Sequence, residues 1–114
     1  MELNLNVEGR VQGVAFRRLV RRFARECGLS GYVENRTDGS VFIRAQGEKE
    51  LLDALLAWVH SSPGASRVEK AHASWKSVSS TFSDFSIRVH APFLEDQKNS
   101  FYHLFNHLWR GRNE

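Results

Sequence analysis

Gly9-Arg10-Val11-Gln12-Gly13-Val14-Ala15-Phe16-Arg17 separates two hydrophobic periods in this chain. Before it, Leu3, Leu5 and Val7 alternate with Glu2, Asn4, Asn6 and Glu8, the two-residue period of a half-buried strand. After it, Phe16, Leu19, Val20, Phe23, Ala24 and Cys27 follow an i, i+3, i+4, i+7 series, the period of a helix. The glycine-punctuated segment is therefore a loop at a helix N-terminus. Such an end exposes unpaired N–H groups and the positive pole of the helix dipole, and it favours an anion. Gly9 and Gly13 let the loop fold back so that successive N–H groups converge.

Arg17 falls in the first turn, where the dipole disfavours a cation by a few tenths of a kcal/mol or more. A bound anion would turn that penalty into an attraction, and the guanidinium fork matches phosphate or carboxylate bidentately. The alternative is a solvated side chain on an arginine-rich face that also holds Arg18, Arg21, Arg22 and Arg25. The loop alone leaves both readings open, because glycine loops before helices are common.

A chain of 114 residues suits one domain with a modest core, and 41% apolar with 25% charged residues is an ordinary globular balance. The formal charge of +3 suits anionic small molecules. It argues little for nucleic acid, because the acids are interleaved along most of the chain. Cys27 is the single cysteine and lies on the apolar stripe of the first helix, so it reads as a buried structural thiol. No charged-then-apolar leader and no membrane-length apolar run is present, and the expected location is cytoplasmic.

Residues 2–8 read as a strand, 16–27 as a helix capped by Gly28, and 31–36 with 41–46 as two further strands. Asp38-Gly39 between the latter marks an antiparallel hairpin. Gly47 opens a second helix whose stripe is Leu51, Leu52, Leu55, Leu56, Trp58 and Val59, stopped by Ser61-Ser62-Pro63-Gly64. Residues 67–76 alternate weakly, with Ala71, Ala73 and Trp75 on one face, and Phe85, Ile87 and Val89 mark a last strand. The first six of these elements, in the order βαββαβ, imply an α+β, ferredoxin-like sandwich, an antiparallel sheet with two helices on one face. In this arrangement the first and second strands are parallel with the third between them. Asn35, near the end of the second strand, then lies roughly 10 Å from the first strand at the same sheet edge as the loop. Its side chain can accept and donate, so it can orient a water without being charged. An Asn before a turn is also common for purely local reasons.

Together these residues resemble a known family. Gly9-x-Val11-Gln12-Gly13-Val14-x-Phe16-Arg17 is similar to the first signature of the acylphosphatases. Gly28-Leu29-x-Gly31-x-Val33-x-Asn35-x-x-Asp38-Gly39-x-Val41 is similar to the second, at the same spacing. Gly47, Pro63-Gly64 followed by Arg67-Val68, and Phe82-x-x-Phe85-x-Ile87-Arg88 extend the likeness over residues 3 to about 90. The resemblance implies hydrolysis of small acyl phosphates to a carboxylate and inorganic phosphate, with no metal or cofactor. It also implies that the phosphate is bound by the loop residues Gly9, Arg10, Val11, Gln12, Gly13, Val14, Ala15 and Phe16 together with Arg17. Asn35 would orient the attacking water.

A catalytically idle phosphate-binding module would lack the chemistry of Arg17 or Asn35, and both are present. An RNA-binding sheet needs aromatics on its central strands, where the third strand offers only Phe42 and the first none. Residues 1–90 are thus expected to form the acylphosphatase-like domain and 91–114 a C-terminal extension. In the extension, Phe101, Leu104, Phe105, Leu108 and Trp109 form a helical apolar stripe. Docking on the domain or self-association is the first reading of that stripe, and a partner-binding helix is the second. His103 and His107 share a helical face, but no third ligand stands at metal-site spacing.

Overall fold

The alternation at the N-terminus becomes β1 (Glu2–Arg10), in which Leu3, Leu5 and Val7 are fully buried. A computed structural model describes residues 1–89; the expected C-terminal helix and the paired histidines fall outside them. Beyond β1 the chain forms α1 (Phe16–Glu26), β2 (Ser30–Asn35), β3 (Val41–Gln46), α2 (Lys49–His60), β4 (Arg67–Lys76) and β5 (Phe85–Arg88). The sheet order is β4-β1-β3-β2-β5. As expected, β3 lies antiparallel between β1 and β2.

Two expectations need correction. The sheet is mixed rather than antiparallel throughout, because β5 pairs with β2 in parallel. After β4 the chain crosses the open sheet face to the far edge: Phe82 meets Tyr32 edge-on at 5.7 Å, and Gln46 donates to the Ser80 carbonyl. It thus enters β5 in the same direction as β2. The first strand also runs to Arg10 instead of stopping at residue 8, since Gly9 and Arg10 pair with Val68 and Arg67 across a bulge at Glu8/Gly9. That pairing needs glycine. Gly9 has φ +130°, and a Cβ there would lie 2.1 Å from the Arg67 carbonyl oxygen.

Both helices cover one face of the sheet. Phe16, Val20 and Ala24 of α1, with Leu52, Leu55 and Val59 of α2, join the β1, β2, β3 and β5 side chains in one core. Phe23 stacks on Trp58 at 4.6 Å between the helices. Complete burial of each large aliphatic or aromatic side chain contributes roughly 1.5–3 kcal/mol. The end of α1 is fixed twice. Gly28 and Leu29 N–H donate back to the Arg25 and Ala24 carbonyls in a Schellman turn, and Arg25 Nε donates to the Phe85 carbonyl at 3.0 Å. By contrast β4 is exposed along nearly its whole length, and Trp75 of the expected apolar face is 37% exposed. On the open face the Arg36 guanidinium lies 4.4 Å above the Phe42 ring, and that of Arg88 lies 3.7 Å above Tyr32.

Candidate active site

The C-terminal ends of β1 and β2, the loop between β1 and α1, and the first turn of α1 meet at one edge of the sheet. Val11 and Phe16 are buried and anchor the two ends of the loop in the core. Between them Gly13 (φ 74°) and Ala15 (φ 59°, ψ 22°) adopt left-handed conformations that turn the backbone back on itself. For Ala15 this costs roughly 1–2 kcal/mol. It stands at the N-cap of α1 and makes no side-chain capping bond, and the first turn contains no acid. Among the described residues, the N–H groups of Gly13, Val14, Ala15 and Phe16 donate to no other backbone group. A helix end with no cap, no carboxylate and a run of uncommitted amides has the electrostatics of an anion site.

A cavity of about 270 Å³ opens there, lined by Val11, Gly13, Ala15, Phe16, Arg17, Arg18 and Asn35. The half-buried Arg17 and the last residue of β2 thus share one cavity although 18 positions separate them in sequence. Asn35 Oδ1 is buried and has no hydrogen-bond partner among the described residues. A buried acceptor left unmade costs roughly 1–3 kcal/mol, so its position on a cavity wall suits a donor that arrives with ligand or water.

The other expected loop residues divide. Gly9 and Arg10 face a neighbouring recess shared with Glu8, Asp38, Gly39, Ser40 and Glu69. Val14 packs against the core. The side chain of Gln12 does not line the cavity: Nε2 donates to the Arg36 carbonyl at 2.8 Å and the Ser40 carbonyl at 2.9 Å, tying the loop to the β2–β3 hairpin. No spacing rule pointed to that link, because its partners lie 24 and 28 residues away.

Asp38, the one acid close to Asn35 in sequence, belongs to the turn. Its Oδ1 lies 2.6 Å from Ser40 Oγ and accepts the Ser40 N–H at 2.9 Å. These hydrogen bonds, the hydroxyl's first, hold its carboxyl below the usual carboxylate range. An exposed, ionised carboxylate committed to a turn is a poor general base. Among the described residues no group of three or more His, Cys, Asp or Glu side chains is placed to hold a metal ion. Nor is any helix among them long and apolar enough to cross a membrane.

The acylphosphatase family profile matches residues 3–87. An acylphosphatase of Salinibacter ruber is 38% identical over 86 residues, which cover 75% of this chain and 90% of the relative. One of Methanococcoides burtonii is 43% identical over 82 residues, covering 72% and 85%. The crystal structure of acylphosphatase from Bacillus subtilis superposes with a TM-score of 0.72 at 34% identity, over 76% of this chain and 97% of that one. With this match along the whole βαββαββ unit, the chain belongs to the acylphosphatase family and is a hydrolase acting on acid anhydrides.

Proposed function

We propose that the cavity at the N-terminus of α1 hydrolyses the carboxyl-phosphate bond of small acyl phosphates, with the loop amides and Arg17 binding the phosphoryl group and Asn35 orienting the attacking water. The observation that carries this reading is the buried Asn35 Oδ1, without a hydrogen-bond partner among the described residues, on the wall of the cavity that also holds Arg17 and the first-turn amides. The water donates one hydrogen to Oδ1, which leaves a lone pair directed at phosphorus. Its oxygen forms the new P–O bond while the bond to the acyl oxygen breaks, and the carboxylate departs with that electron pair. The water proton passes to the transferring phosphoryl oxygens, giving dihydrogen phosphate and a carboxylate from a dianionic acyl phosphate.

This division of labour follows from the chemistry. Phosphoryl transfer spreads negative charge over the equatorial oxygens, so positioning and electrostatic stabilisation supply most of the rate. A carboxylate is a good leaving group, and its departure requires no dedicated acid. An arginine fork and converging amides answer a three-oxygen anion better than a point charge does. The apolar walls at Val11 and Phe16 leave room for the acyl end without specific contacts.

The reading is tested by benzoyl phosphate hydrolysis in excess chelator. Turnover should persist, and Asn35→Ala should lower kcat by roughly 10²–10³ with a small change in KM, the scale of losing one oriented polar contact. Wild-type kcat in Asn35→Ala would remove the water-orienting role.

A further inference from the structure

The loop and Asn35 belong to segments that meet only through tertiary structure, and their separation must be set by something. The β2–β3 hairpin closes without help. Arg36 N–H donates to the Ser40 carbonyl at 2.8 Å, Gly39 N–H to the Arg36 carbonyl at 3.2 Å, and Ser40 N–H to Asp38. The two carbonyls that Gln12 reaches are therefore already satisfied once, and the turn does not depend on Gln12 for its own shape. The loop is the dependent partner. Its backbone amides from Gly13 to Phe16 make no backbone bonds among the described residues, and two of its positions are left-handed. Between the buried Val11 and Phe16, both hydrogens of the Gln12 amide are spent on the hairpin, at Arg36 and Ser40, which flank the turn immediately after Asn35.

We propose that Gln12 is a positioning residue: its side-chain amide clamps the anion-binding loop to the β2–β3 hairpin and thereby fixes the distance between the phosphoryl group and the water held by Asn35. The inference rests on the reading of the site given above. The amide suits the task because it offers two donors from one planar group to two carbonyls and carries no charge beside an anion site. A misplacement of about 1 Å between reacting groups can lower a rate on the order of 10²-fold, so a clamp remote from the chemistry can act strongly on it.

The discriminating experiment is a double-mutant cycle between Gln12→Ala and Asn35→Ala, with kcat for benzoyl phosphate and the inhibition constant of inorganic phosphate both measured. Gln12→Met, close in size and without donors, repeats the test if the alanine variant folds poorly. The clamp predicts at least a tenfold fall in kcat for either Gln12 variant, with phosphate inhibition within threefold of wild type. In the Asn35→Ala background the same Gln12 substitution should change the residual rate by less than threefold, because no oriented water remains to misplace. Equal losses in both backgrounds, or phosphate affinity falling in step with kcat, would overturn the clamp while leaving the site intact. Full turnover by Asn35→Ala alone would instead overturn the site reading, and the clamp with it.

Discussion

The two helices begin in opposite ways. At α2 the N-cap Glu48 is extended (φ −68°, ψ 145°), its carbonyl accepts the Leu51 and Leu52 N–H groups, and Glu50 places a carboxylate in the first turn. At α1 the N-cap is a left-handed Ala15, the first turn holds no acid, and Arg17 and Arg18 occupy it. The same dipole is answered by the chain's own carboxylate at α2 and, under the proposed function, by the substrate's phosphoryl group at α1. On that proposal the difference separates a helix start arranged for stability from one arranged for a ligand. The left-handed Ala15 and the missing cap give up local stability at the place where the proposed binding needs open amides.

The comparison is broken most severely by making α1 resemble α2. Arg17→Glu should reduce kcat/KM for benzoyl phosphate by at least roughly 10³, since it removes the fork and places a carboxylate at the proposed phosphoryl site. The variant should keep the fold, as circular dichroism would report. Gly9→Ala comes next. The new Cβ would meet the Arg67 carbonyl oxygen, so β1 and β4 must part at the base of the loop, destabilising the protein by about 3 kcal/mol in urea unfolding. Glu50→Lys reverses the charge in the first turn of α2 and should cost about 0.5 kcal/mol with kcat unchanged.

A pH effect of the same modest kind is expected at the opposite end of β1. Burial pushes the Glu2 carboxyl up, but the hydrogen bond from Gln46 and the adjacent Arg44 guanidinium outweigh it and hold the group below its ordinary value. A carboxyl depressed in the folded state adds stability above its unfolded value and loses it as pH falls through the folded one. Stability should therefore fall on acidification below the usual carboxylate range. Glu2→Gln should flatten that part of the profile in chemical unfolding.

How much of this was legible depended on how local the cause was. The change of period at residue 9, the Asp38-Gly39 turn and the Gly28 cap each act within a few residues, and the sequence shows them directly. The shared edge for the loop and Asn35 followed from topology, because the split βαβ order makes β1 and β2 parallel. What escaped the sequence depends on distant partners. The extension of β1 to Arg10 is dictated by pairing with β4, and the steric demand at Gly9 comes from the Arg67 carbonyl. The parallel β5 follows from how residues 77–84 cross the open face, a path without a periodic signal. Gln12 read as one more loop residue because its two acceptors lie on the hairpin. The exposure of Trp75 was hidden by an alternation that β4 shares with half-buried strands.

Inorganic phosphate inhibition of benzoyl phosphate hydrolysis, measured for wild type, Arg17→Ala and Asn35→Ala, tests the central claim most directly. Phosphate should inhibit the wild type competitively. Arg17→Ala should raise the inhibition constant by at least tenfold as turnover falls, whereas Asn35→Ala should leave it within threefold while kcat collapses. An Arg17→Ala enzyme that binds phosphate as the wild type does would contradict the account, because the anion would then sit somewhere other than the N-terminus of α1.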